Sequence, residues 1–294
     1  MNLVVGSNGL LGGMIARKLL AKGAPVRVLV RQPSSIEGAQ AVTGDLKDRA
    51  SLDAACRGVT TVITTANSVQ RGGEDTIESV DIAGNRSLID AAKNAGVRQF
   101  IFVSTAAADA SSPVPIFAAK AKTENYLRES GVPWTILAPL AFMDTWFGII
   151  LGSAFGAGKP VAVVGGGKTR HSFIAVDDVA ELATAAVGHP AAMRQRIVFG
   201  GPDGISWSDI VEKTSKILGR TIPVQNIQPG QPIPTLPPPL DQTIGFLIAG
   251  LEQQDAIIDT TEIARKFGVS LTSAETVLRG MFAPAGALAR DDPK

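Results

Sequence analysis

The sequence predicts an α/β protein with a doubly wound parallel sheet and a smaller C-terminal part. Three observations predict it. A glycine triplet, Gly6, Gly9 and Gly12, directly follows the apolar run Leu3–Val5. Apolar runs then alternate with amphipathic stretches about five times in the first half of the chain, the rhythm of βαβ units. Those runs are continuous rather than alternating, as strands covered on both faces require.

In chain order the expected strands are Leu3–Val5, Val26–Val30, Ala41–Thr43, Thr61–Thr65, Phe100–Ser104 and Trp134–Leu137. Helices are expected over Leu11–Lys22, Ala50–Cys56, Asp75–Ala95 and Ala118–Ser130, with Gly23, Gly58, Gly96 and Gly131 placed as helix stops. Residues 140–170, rich in glycine and aromatics, read as an excursion over the mouth of the sheet. A strand at Phe173–Val176, a helix at Asp177–Gly188 and a strand at Arg196–Gly200 restore the pattern. Ser206–Leu218 is expected as a helix with Ser206 as N-cap and Gly219 as its stop. Six prolines between Pro229 and Pro239 exclude regular helix and central strand there. A last helix is expected near Ser273–Met281, ahead of a fraying end. The domains follow: residues 1–141 completed by 172–203, a smaller part from 142–171 and 204–283, and a tail over 284–294.

Bulk properties narrow the classes of function. With 45% apolar and 19% charged residues in 294, the chain can bury a large core and is not disordered. A net charge of +1 offers no long-range attraction to nucleic acid or to an acidic membrane. The single cysteine, Cys56, excludes an intramolecular disulfide, and with only His171 and His189 no metal cluster is expected. The most apolar late stretch, Phe147–Ala157, is interrupted by Gly148, Gly152 and Gly156 and falls short of the ~20 residues of a membrane span. Only Met1–Val5 precede the glycine loop, too few for a secretion signal, so a cytoplasmic protein is expected.

The glycine loop carries the functional reading. Gly6 permits the tight turn out of the first strand, Gly9 lets the backbone approach a pyrophosphate, and Gly12 with Gly13 lets the helix lie close on the sheet. The helix N-terminus then offers free N–H groups and the positive end of its dipole to phosphates. The strand Val26–Val30 ends in Arg31 rather than an acid. A guanidinium there pairs with a ribose 2′-phosphate, which favours NADP(H) over NAD(H). An ordinary exposed arginine at a strand end would look the same.

These residues resemble the NmrA-like branch of the atypical short-chain dehydrogenases. The resemblance is carried by Gly6-Ser7-Asn8-Gly9-Leu10-Leu11-Gly12, Val30-Arg31, Gly44-Asp45-Leu46, Leu88–Ala92 with Ala95-Gly96-Val97, Phe102-Val103-Ser104, Lys120 with Glu124, and Phe173–Val179. The C-terminal third is similar to that of bacterial quinone reductases and triarylmethane-dye reductases. The resemblance implies a Rossmann-type fold with a C-terminal substrate-binding part. Asp45 and Leu46 would border the adenine, and Thr65, Ala66 and Asn67 the ribose. Ser104 and Thr105 would lie near the nicotinamide, with Pro139, Leu140, Ala141 and Phe142 wrapped around it. Asp45 also fits a turn residue, and Ser104 a strand-end hydroxyl satisfied by backbone.

Tyrosine-dependent relatives place a tyrosine four residues before the lysine, as proton donor. Here Lys120 matches the lysine, but Ile116 stands at the tyrosine position. The one tyrosine, Tyr126, lies about 240° around the helix from Lys120 and reads as packing. Lys120 would hold the ribose or donate a proton, and Lys122 points away. Without the usual acid, hydride transfer to a quinone or another conjugated acceptor is favoured over a simple ketone. Phe142, Met143, Trp146, Phe147, Phe155 and His171 are candidate contacts for such an aromatic acceptor; they could equally pack the interior. Asp177 and Asp178 read as helix caps. The expected activity is an NADPH-dependent reductase. A non-catalytic NAD(P) sensor and a reductase of a carbon–carbon double bond or specialised ketone are the alternatives. A small-molecule substrate is expected, with a homodimer as an option and no nucleic-acid or membrane partner.

Overall fold

The structure, a computed structural model, describes residues 1–32, 36–69 and 73–283. The tail expected over 284–294 lies outside the described residues. The chain opens with β1 (Asn2–Val5), α1 (Leu10–Ala21), β2 (Val26–Val30), β3 (Gln40–Thr43), α2 (Arg49–Cys56) and β4 (Thr61–Thr64). A π-helical stretch over Ile77–Gly84 leads into α3 (Asn85–Asn94), followed by β5 (Gln99–Val103), α4 (Pro115–Glu129) and β6 (Trp134–Pro139). Then come α5 (Met143–Phe147), a π-helical turn (Gly148–Gly152), α6 (Ser153–Ala157), β7 (Val161–Val164) and β8 (Arg170–His171). The chain continues with α7 (Val176–Ala185), β9 (Gln195–Phe199), β10 (Ile205–Ser206) and α8 (Trp207–Leu218). It closes with β11 (Val224–Ile227), α9 (Leu240–Leu251), α10 (Thr261–Phe267) and α11 (Ala274–Phe282).

Two units divide these elements. The first comprises Met1–Leu140, Val176–Phe199 and Ile263–Val269; the second comprises Ala141–Ala175, Gly200–Glu262 and the chain from Ser270. The first carries a seven-stranded parallel sheet in the order β3-β2-β1-β4-β5-β6-β9. Strand order reverses between β1 and β4, the position at which open α/β sheets bind ligands. β1, β4 and β5 are buried along their whole length, which is why their sequences lack polar alternation. Gly23, Gly58, Gly96 and Gly131 all adopt positive φ where their helices stop. One face of the sheet packs Leu52, Leu88, Ile89, Phe100, Phe102 and Leu127 into a single core.

The second unit has two small sheets, β7 with β11 in parallel and β8 with β10 antiparallel. Its core is organised by Phe147, Phe173 and Trp207, whose rings meet edge-on at centroid distances of 5.5–6.2 Å.

Several expectations are corrected. Phe173–Val176 is not a strand; Ile174 forms an isolated bridge with Phe142, and the strand is β8 just before it. Phe173 and Ile174 are apolar because they are core residues, and burial alone does not make a ladder. The helix expected from Asp75 begins at Ile77, where Thr76 caps it in a reciprocal box with Ser79. The stretch 140–170 contains α5, α6 and β7. Asp177 lies in the first turn of α7, and its carboxylate pairs with Lys18 on α1 at 3.0 Å.

Candidate functional site

A cleft in the first unit opens at the C-terminal ends of β1, β2, β3 and β4. Val5, Gly6, Ser7, Asn8, Gly9, Leu29, Val30, Arg31, Gly44, Asp45, Leu46, Ala66, Asp75 and Val80 line it. It therefore sits at the reversal of strand order.

The glycine loop is built for close backbone contact. Gly6 has φ +91°, and a Cβ there would stand 2.6 Å from Thr65 Oγ1. A Cβ on Gly12 would run into the Gly6 carbonyl oxygen. Gly9 N donates to Gly6 O at 3.0 Å, which closes the turn. Gly9 is also the N-cap of α1, with no side-chain cap bond and no acid in the first turn. A 12-residue helix thus begins on the cleft at a glycine that has no side chain to cap its leading N–H groups. Beside it, the buried Ser7 hydroxyl has no hydrogen-bond partner among the described residues. These features fit a dinucleotide pyrophosphate. Leu10 is exposed and Leu11 buried, so only the second packs under the sheet.

At the other end of the cleft, Arg31 Nη1 donates to Asp75 Oδ2 at 2.7 Å, and Lys47 Nζ donates to Asp75 Oδ1 at 3.0 Å. The Asp45 carboxylate accepts the Lys47 N–H at 2.8 Å, making an Asx turn while it lines the cleft. Leu46 and Ala66 line it as well. Thr65 lies under Gly6, and Asn67 closes its own turn by accepting the Val69 N–H at 3.0 Å.

The Lys120 neighbourhood lies at the end of β5. Lys120 Nζ donates to Val103 O at 3.0 Å and sits 4.8 Å from the Phe102 ring centroid. The side chain is buried, and that desolvation holds its pKa below the ordinary lysine value. Ser104 Oγ donates to Glu124 Oε1 at 2.6 Å, and Glu124 Oε2 accepts from Arg128 at 2.7 Å and from Arg196 at 2.8 Å. Arg196 also donates to the Thr105 carbonyl at 3.0 Å. Tyr126 is tied to Asp90 at 2.8 Å, with Arg86 over its ring.

Pro139 ends β6, and Leu140 N donates to Phe199 O at 2.9 Å. In the second unit, Ile174 N donates to Ala141 O at 2.9 Å and Phe142 bridges Ile174. Met143 and Phe147 are fully buried in that unit's core, whereas Phe142 and Trp146 are half-buried. His171 is buried with its ring 5.6 Å from Phe173, and burial pushes its pKa down.

Sequence reasoning did not single out Lys47, Asp75 or Arg196. Glu124 entered only as a marker beside Lys120; its position four residues on, one turn along the same helix face, is the signal that could have assigned it. Asp75 carries no such signal, because a loop brings it to the cleft.

The profile of the NmrA-like family matches residues 2–267. The chain is 28% identical over 231 residues to the photosystem II assembly factor Ycf39 of Trieres chinensis, covering 76% of this chain and 71% of that protein. It is 29% identical over 227 residues to an NAD(P)H azoreductase of Xenophilus azovorans, covering 76% and 75%. Of two further curated relatives, this chain spans only 58% and 47%. Among solved structures, an NADPH-dependent quinone oxidoreductase from Escherichia coli, complexed with NADPH, superposes with a TM-score of 0.78 at 20% identity, over 96% of this chain and 100% of that one. At that identity the match speaks to fold. Among the described residues no helix is long and apolar enough to cross a membrane.

Proposed function

Because the chain belongs to the NmrA-like family, we propose that it is an NADPH-dependent reductase acting on a quinone or a similar conjugated acceptor. The observation that carries this reading is the N-terminus of α1, bordered by glycines and opening on a cleft at the reversal of strand order. The N–H groups of the first turn of α1 hold the pyrophosphate, with the Ser7 hydroxyl as a further partner. Asp45, Leu46 and Ala66 border the adenosine, and Arg31 takes the 2′-phosphate.

When bound, the nicotinamide supplies a hydride. Three candidate proton donors are already engaged. The Ser104 hydroxyl already donates to Glu124, Lys120 Nζ already donates to the Val103 carbonyl, and Tyr126 is tied to Asp90. Such a site favours acceptors that spread or discharge the incoming charge. Phe142 and Trp146, both half-buried, are the proposed contacts for a flat aromatic acceptor. Lys120 is proposed to hold the ribose. The relative named azoreductase supports this class of reaction.

Mixing the protein with NADPH and a panel of quinones, azo dyes and cationic dyes, while following nicotinamide absorbance, tests the reading. Turnover with at least one acceptor is expected. Trp146→Ala is expected to lower kcat/KM roughly tenfold to a hundredfold, the cost of a loosely held acceptor. Dinucleotide binding without turnover would favour a second reading, a binding protein that reports cofactor state. The relative named as an assembly factor is the observation in its favour.

A further inference from the structure

The ion pair at the adenosine end of the cleft has a consequence for cofactor choice. Arg31 directly follows β2 and lines the cleft, and Lys47 stands two residues beyond the lining residue Asp45, whose carboxylate accepts its N–H. Both cations are bound by one carboxylate. Asp75 Oδ2 accepts from Arg31 at 2.7 Å, and Asp75 Oδ1 accepts from Lys47 at 3.0 Å. The Asp75 side chain is only 6% exposed, while Arg31 and Lys47 are 52% and 34% exposed. The acid is therefore the fixed member, and the two cations fold down on to it from solvent. The bond from Lys47, helped by the Arg31 charge, holds the Asp75 carboxyl below the usual range, so it is an anion at all ordinary pH.

We propose that Asp75 is a specificity-determining residue for the ribose 2′ position: its carboxylate occupies the cations that a 2′-phosphate needs, and offers an acceptor to a 2′-hydroxyl. This inference rests on the dinucleotide reading of the cleft. A 2′-phosphate must pull Arg31 and Lys47 from Asp75 and then sit beside a fixed negative charge. A 2′-hydroxyl does neither, because it donates to the carboxylate directly, the role usually filled by an acid at the end of the second strand. Arg31 alone would make the protein strongly selective for NADPH. With Asp75 opposite it, the protein accepts both dinucleotides and its preference for NADPH is small.

The test compares binding of NADPH, NADH, 2′,5′-ADP and 5′-AMP to the full chain by titration calorimetry. The two adenosine fragments isolate this end of the cleft. The wild type is expected to bind NADPH within about tenfold of NADH, the residue of two opposing charge effects. Asp75→Asn is expected to raise the NADPH-to-NADH and 2′,5′-ADP-to-5′-AMP affinity ratios by roughly tenfold or more, by tightening the phosphorylated ligand and weakening the other. Asp75→Ser is read beside it, each after a cooperative melt, and Asp75→Glu should keep the wild-type ratio. Ratios unmoved by Asp75→Asn and Asp75→Ser overturn the proposal while leaving the dinucleotide site intact. So does a wild-type preference for NADPH above about a thousandfold, whatever the variants do. A wild type that binds neither dinucleotide overturns both this proposal and the reading it rests on.

Discussion

At the scale of single residues, Gly12 is the least replaceable position of the cleft. A methyl there meets the Gly6 carbonyl oxygen, and neither backbone can retreat without opening the turn. Gly12→Ala is expected to cost about 1–3 kcal/mol in a urea melt and to abolish dinucleotide binding measured by fluorescence. Lys120 behaves differently. Its folded pKa is depressed, so below the ordinary lysine pKa the unfolded chain binds the proton more readily than the fold does, and stability rises with pH through that window. Lys120→Met removes this dependence. Its melting temperature should be flatter than the wild type's between neutral and alkaline pH, and a steeper profile would contradict the burial argument. Cys56 is fully buried and its thiol is pushed up to about 11 by that burial. It should resist thiol reagents in the folded protein at mildly alkaline pH and react once denatured, read by mass spectrometry. Gly6, Gly9 and Gly12 were legible because local chain geometry dictates their type. Asp75 was not, since its partners Arg31 and Lys47 lie 44 and 28 residues away.

At the scale of elements, terminal chemistry was the readable signal. Gly219 ends α8 in the left-handed region, and Ser206 opens it in a capping box with Asp209, both as the residue types require. Ser206→Ala is expected to lower stability by about 1 kcal/mol in a denaturant melt, the usual worth of an N-cap. Restoration by Ser206→Thr would tie the loss to the cap. The elements that escaped are those whose periodicity is weak. β7 is four residues of continuous apolar chain before a glycine run, and β11 is mostly exposed with polar residues at its centre. Their pairing is long-range, so no local pattern announces it. Phe173–Val176 shows the opposite error: a buried apolar run reads as a strand when packing, not a ladder, made it apolar.

At the scale of the whole molecule, the doubly wound parallel sheet was legible because its first six strands follow one another along the chain, each separated from the next by a helix or a turn, and all consecutive pairs except β3 and β4 are neighbours in the sheet. The assignment of Ile263–Val269 to the first unit was not, because a short helix so far along the chain carries no mark of its destination. The first unit draws on three stretches of chain, and its last strand, β9, pairs with β6 across an interval that contains much of the second unit. A fragment of residues 1–140 therefore lacks a strand of its own sheet, and it is expected to aggregate in a sedimentation assay where the full chain stays dispersed. During synthesis the same arrangement imposes a wait. β6 leaves the ribosome complete, and at the usual pace of translation some 55 further residues take roughly 3–11 s to follow before β9 can dock. Throughout that interval the nascent chain presents the bare margin of β6 to solvent or to a chaperone, so the rate of elongation through residues 140–195 should bear on yield as much as any contact in the finished fold.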